Sequence, residues 1–235
     1  MTASIRLSKR VAALRACSRR EAELLIASGQ VRVDGVVVET PQHRVADERV
    51  EIAANAAPAG AVTLLWHKPA GVALADGGEA SAACPLEPAR RWADDISGIA
   101  PLKLHFTGLT PCLPLEAEAA GLVVFTQDWR VARKLSEDAA GVEHEYVVEV
   151  GGQAVPGGLE KLNRGGKDKP AVKFSWQNEN RLRVALKGAR PGQVAALCAS
   201  IGLTVGTLKR LRLGGVALGK VPVGEWRYLR DDERF

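Results

Sequence analysis

Two groups of charge in this chain are of the right type and spacing for chemistry. The first is cationic: Arg6, Lys9, Arg10, Arg15, Arg19 and Arg20 fall within residues 5–20, a stretch without one acid. Guanidinium and ammonium groups at that density bind anions, phosphate above all. Ser18-Arg19-Arg20-Glu21 has the pattern of a capping box that opens a helix. Cations are disfavoured at a helix N-terminus. Arginines beside its unpaired N–H groups make sense where a phosphate completes the site. The second group is anionic: Glu116 and Glu118 stand two residues apart in Leu113-Pro114-Leu115-Glu116-Ala117-Glu118-Ala119-Ala120. On a strand both carboxylates would face one side, as in a glycosidase pair, yet nothing else in the sequence supports a sugar site. Lys161, Arg164, Lys167, Lys169 and Lys173 gather around Gly165 and Gly166, where an exposed loop is the plain reading. A last cluster is Lys209, Arg210 and Arg212.

The elements that must position these groups follow from pattern. Leu7, Val11 and Leu14 make one apolar helical stripe, with the cations largely on other faces. Leu24, Leu25 and Ile26 give the second helix its apolar side, and Gly29 fits a helix stop. Val31 to Val38 is two β-branched runs around Asp34-Gly35, a preferred hairpin turn. This helix-helix-hairpin unit is expected over residues 1–52. Residues 53–61 are Ala, Gly and Pro with one Asn, which reads as a linker.

From Val62 the pattern turns to strands: VTLLW, GLVVFT, EYVVEV, VKFSW and RLRVAL. Helices are expected at 128–136 and 193–201. The second domain, 62–235, is therefore expected to be α+β around a mainly antiparallel sheet. A chain of 235 residues suits two domains. Hydrophobic residues at 46% and charged residues at 25% exclude wholesale disorder and a coiled coil. The net charge of +5 is a mild hint of nucleic acid. Cys17, Cys84, Cys112 and Cys198 form no Cys-x-x-Cys pair, so no metal site is expected and a reducing, cytoplasmic setting is. No stretch reads as a membrane span or a secretory signal.

Arg6-Leu7-Ser8-Lys9, Ser18-Arg19-Arg20-Glu21-Ala22 and the run from Ile26 to Gly35 resemble the RNA-binding domain first known from ribosomal protein S4. That resemblance implies RNA as partner, with Arg6, Lys9, Arg10, Arg15, Arg19, Arg20 and Arg32 as contacts, mostly to phosphates. The larger domain resembles the RsuA-type ribosomal RNA pseudouridine synthases. The matching pieces are Trp66-His67-Lys68-Pro69-Ala70-Gly71, Gly121-Leu122-Val123-Val124-Phe125-Thr126-Gln127-Asp128, Val142-Glu143-His144-Glu145-Tyr146-Val147-Val148 and Arg210-Leu211-Arg212-Leu213-Gly214. Lys68, Lys209, Arg210 and Arg212 are expected to add RNA contacts.

This resemblance implies isomerisation of a flipped-out uridine without a cofactor. It also implies an Asp as the essential carboxylate and a nearby Tyr, here Tyr146. The protein is expected to be a monomer in the cytoplasm. Counted back from Gly121-Leu122, the family's Gly-Arg-Leu-Asp-x-x-Thr becomes Leu113-Pro114-Leu115-Glu116-Ala117-Glu118-Ala119. Glu116 thus replaces the Asp. The family's Arg-Gln-Val-Arg-Arg-Met appears as Gly192-Gln193-Val194-Ala195-Ala196-Leu197, without its arginines. Two readings stand: an RNA-binding protein that keeps the scaffold and has lost the reaction, or an active synthase using Glu116.

Overall fold

Ser18 caps the second helix as its motif requires. Its hydroxyl accepts from the N–H of Glu21, whose carboxylate accepts from the N–H of Ser18 at 2.8 Å. Gly29, at φ +68°, ends that helix, with its N–H on Ile26 and the N–H of Gln30 on Leu25. The computed structural model describes residues 4–74, 86–164 and 172–235; Cys84, Gly165, Gly166, Lys167 and Lys169 lie outside them. The chain divides into two compact units, 1–61 with 100–107, and 62–99 with 108–235.

In the first unit, β1 (Ile5–Arg6) leads into α1 (Leu7–Arg15), and α2 (Arg19–Ala27) follows. Then come β2 (Val31–Val33), β3 (Val36–Val37), β4 (Arg44–Val45) and β5 (Val50–Ile52). Strands β3-β2-β5 form one antiparallel sheet, and β1 pairs with β4. Asp34 and Gly35 both take positive φ, +49° and +82°, as the β2–β3 turn demands. Leu7, Val11, Ala22, Ile26, Val31, Val33 and Val45 make the core. Leu14 and Leu24, expected in it, are 51% and 46% exposed. Leu14 lies in the last turn of a short helix. Leu24 to Ile26 spans some 200° at ~100° per residue, too wide for one buried stripe. Residues 53–61 are held by backbone bonds from Ala53 to Gln30 and from Ala59 to the Ser28 hydroxyl. The 3₁₀ turn Lys103–Phe106 also belongs here, with the Lys103 N–H on Glu39 at 2.9 Å.

The second unit runs β6 (Thr63–Lys68), β7 (Thr110–Cys112), β8 (Ala120–Thr126), α3 (Trp129–Ser136), β9 (Glu143–Gly152) and α4 (Gly158–Arg164). It continues with β10 (Val172–Asn178), β11 (Arg181–Lys187), α5 (Gln193–Ala199), β12 (Leu203–Leu213), β13 (Val216–Ala217) and β14 (Trp226–Tyr228). The sheet order is β10-β11-β9-β12-β8-β6-β14, with β7 on β8 and β13 on β12. Every pair is antiparallel except β12 with β8. The mainly antiparallel α+β fold expected from the pattern is therefore present. The pattern did not pick out β12, which lies centrally. Its register shifts between Val205 and Thr207 and again between Arg210 and Arg212, which breaks the alternation that marks a strand.

Candidate functional site

Glu116 sits on the seven-residue connection from β7 to β8, and two buried cations shape that connection. Lys68, at the end of β6 and wholly buried, donates its three protons to the carbonyls of Pro69, Ala117 and Ala119 at 3.1, 2.9 and 2.7 Å. Burial lowers its pKa, while Glu116 and Glu118 act to raise it. Arg210, from β12 and also wholly buried, donates from Nε to the Leu122 carbonyl at 2.8 Å and from Nη2 to that of Leu113 at 2.5 Å. Leu113 takes φ +49°. The family's glycine would adopt that conformation freely, whereas a leucine holds it at a cost of roughly 1–2 kcal/mol.

Glu116, Tyr146, His144 and Arg210 line one cavity of about 80 Å³, walled by Leu113 to Leu115 and by Ala189 to Pro191. The Glu116 carboxylate accepts the N–H of Gly192, the residue that opens α5. No ion pair joins Glu116 to Arg210 among the described residues. His144 and Tyr146 are two apart on β9 and so share a face. The His144 Nδ1 is 3.1 Å from the Tyr146 hydroxyl. Burial, aided by the charge of Arg210, pushes the His144 imidazole down to about 3, so the ring is neutral at any ordinary pH. Burial raises the Tyr146 phenol against the opposing pull of Arg210. His144 Nε2 is buried without a partner. The cavity thus holds a carboxylate, a protonated phenol, a neutral imidazole and two guanidiniums, the buried one of Arg210 and the exposed one of Arg190. Among the described residues no three His, Cys, Asp or Glu side chains converge on a metal-sized site.

The sequence-predicted residues fall into three sets. Glu116 and Tyr146 come together, and Arg210 joins them. Arg6, Lys9, Arg10, Arg15, Arg19, Arg20 and Arg32 are all exposed on the first unit. Arg6, Lys9 and Arg19 line a hollow of about 450 Å³ together with Arg44, which sequence reasoning missed because strand pairing delivers it. The third set is engaged inside the protein. Lys68 has all three protons on backbone carbonyls, and Arg210 is an interior brace of the cavity. Arg212 is committed to Glu143, Glu145 and the Gly214 carbonyl at 2.6, 2.8 and 2.6 Å. None of these three presents a free cation to RNA; Lys209 is half-buried. Glu118 is exposed in a turn rather than on a strand, so the carboxylate pair does not form. His144 was missed as a partner of Tyr146, although its place two residues before the tyrosine was the available signal.

Residues 5–50 match the S4 domain family. An uncharacterized RNA pseudouridine synthase of Aquifex aeolicus is 30% identical over 97% of this chain and 94% of its own length. One from Mycobacterium tuberculosis is 31% identical over 97% and 91%. The dual-specificity RNA pseudouridine synthase RluF of Salmonella typhi is 27% identical over 98% and 77%. A crystal structure of a pseudouridylate synthase shares the fold at a TM-score of 0.55, with 19% identity and 96% of both chains covered. With an S4 domain in front and a sheet domain that holds the altered carboxylate loop, the chain belongs to the RNA pseudouridine synthase family.

Proposed function

We propose that this protein binds structured ribosomal RNA as a member of that family without isomerising uridine. The observation that carries the reading is the state of Glu116. Its carboxylate is tied to the Gly192 N–H, the buried guanidinium of Arg210 is committed to the carbonyls of Leu122 and Leu113, and among the described residues no ion pair joins Glu116 to Arg190, the other arginine of the cavity. A carboxylate one methylene longer than aspartate sits ~1.5 Å further out, and catalytic groups need placing within ~0.5 Å; a ~1 Å error costs ~100-fold in rate. The cavity of about 80 Å³ is also well below the ~300–1,000 Å³ of small-molecule sites. Exposed cations on the first unit, Arg10, Arg15 and Arg20 among them, supply phosphate contacts. Cys17, Cys112 and Cys198 are free thiols, which suits a reducing compartment, and no described helix is long and apolar enough to cross a membrane.

The test is an incubation of purified protein, in molar equivalence, with unmodified ribosomal RNA, scored for binding and for pseudouridine by chemical mapping. The expected result is binding that Glu116→Ala leaves within about twofold, under ~0.5 kcal/mol, and no new pseudouridine. Pseudouridine formed by wild type and abolished in Glu116→Ala would establish the active reading instead.

A further inference from the structure

Beside the cavity opens a groove of about 770 Å³, lined by Ala140, Lys187, Gly188, Arg190, Gly192 and Gln193, with Pro191 and Ala196 completing it. Arg190 and Pro191 line both hollows, so the groove leads out of the cavity that holds Glu116. We propose that this groove holds the RNA strand next to the nucleotide at the cavity, with Lys187 and Arg190 each on a backbone phosphate. The inference rests on the RNA-binding reading above and assigns that binding a place in the second unit.

Charge is the first argument. The second unit pairs most of its arginines: on β11 itself Arg181 meets Glu149 at 2.5 Å and Arg183 meets Glu145 at 2.6 Å. Lys187, at the end of the same strand, faces Glu143 in register, but Glu143 is paired with Arg212 at 2.6 Å. Arg190 is exposed, and the Glu116 carboxylate, which lines the same cavity, is bound to the Gly192 N–H. No acid lines the groove, and among the described residues neither cation has an ion-pair partner. Two unpaired cations, with Gln193 at the first position of α5 beside them, form a surface for an anionic chain.

Backbone shape is the second argument. The loop from β11 to α5 turns at Gly188 and Gly192, φ +57° and +74°. A Cβ at Gly188 would lie 2.9 Å from the Ala140 backbone, so the loop is seated on that residue. At Gly192 a Cβ would meet nothing within 4 Å. Gly192 therefore puts no side chain into the groove, so a ribose can approach its backbone closely, while its N–H stays with the Glu116 carboxylate. The bond from the Arg190 N–H to Gln193 Oε1 at 3.0 Å fixes Arg190 against the first residue of α5.

Full-length protein and a hairpin RNA with a uridine-rich loop give the test: affinity measured from about 50 to 200 mM KCl. Each phosphate contact to a single strand contributes ~0.7 to the log–log salt slope. Lys187→Gln with Arg190→Gln is expected to flatten the slope by about 1.4. Lys161→Gln with Lys173→Gln, two exposed cations away from the groove, is expected to leave it unchanged. An unchanged slope in the groove variant, or an equal loss in the control, overturns the proposal while wild-type binding keeps the RNA reading intact. Wild type that fails to bind overturns both.

Discussion

Glu116 differs from an aspartate by one methylene, and here that methylene reaches the Gly192 N–H. Glu116 thus lines the cavity and at the same time ties two loops together. His144 marks the same cavity differently. Its pKa lies at about 3 because the folded chain buries it, against ~6.5 in an unfolded chain. The unfolded state therefore binds the proton first. The stability is fully present above pH ~6.5 and is lost as pH falls toward 3. Burial lowers His67 and His105 in the same direction. His144→Phe should shrink the loss of stability between about pH 7.5 and 5 by ~2 kcal/mol, at ~1.4 kcal/mol per unit. Urea melts followed by tryptophan fluorescence measure it cleanly, because Trp66, Trp92, Trp129, Trp176 and Trp226 all lie in the second unit. Parallel pH dependence in both proteins would contradict the buried neutral imidazole. Glu116 and Tyr146 were legible in the sequence because they sit in register with linear motifs. The roles of Lys68 and Arg210 were not, since each bonds across 49 to 97 residues and a cation in a sequence does not announce its burial.

At the level of elements, the site depends on how β12 meets β8. Arg210 on β12 faces Gly121 on β8 in the one parallel pairing of the sheet. Gly121 takes φ +114°, and a Cβ there would fall 2.2 Å from the Arg210 carbonyl oxygen and 2.6 Å from its nitrogen. Nothing but hydrogen fits, and the contact is backbone, which cannot move aside. Gly121→Ala should cost more than ~4 kcal/mol, the extreme of single substitutions, and give an unfolded or insoluble second unit in a denaturant melt. A soluble variant with an unchanged midpoint would refute the close approach. The capping box, the hairpin turn and the runs of alternating strand were readable because each is a local rule. The strand β12 was not, because Gly206 and two register shifts mask it, and because its place beside β8 is a fact of three dimensions.

Across the whole molecule the cations divide by role. The first unit leaves Arg10, Arg15, Arg20 and Arg32 in solvent, whereas the second commits Arg181, Arg183, Arg212 and Arg227 to carboxylates. A net charge of +5 therefore understates the exposed cations of the first unit and overstates those of the second. The assignment of residues 100–107 to the first unit was invisible in the sequence, since the turn returns from the middle of the other unit's chain. Under the proposed function, RNA binding persists where the carboxylate chemistry has been given up. The most direct test of that function is a pseudouridine map of ribosomal RNA from cells with and without the gene. The predicted result is an identical map in both. A pseudouridine that disappears with the gene, returns with wild type and does not return with Glu116→Ala would contradict it.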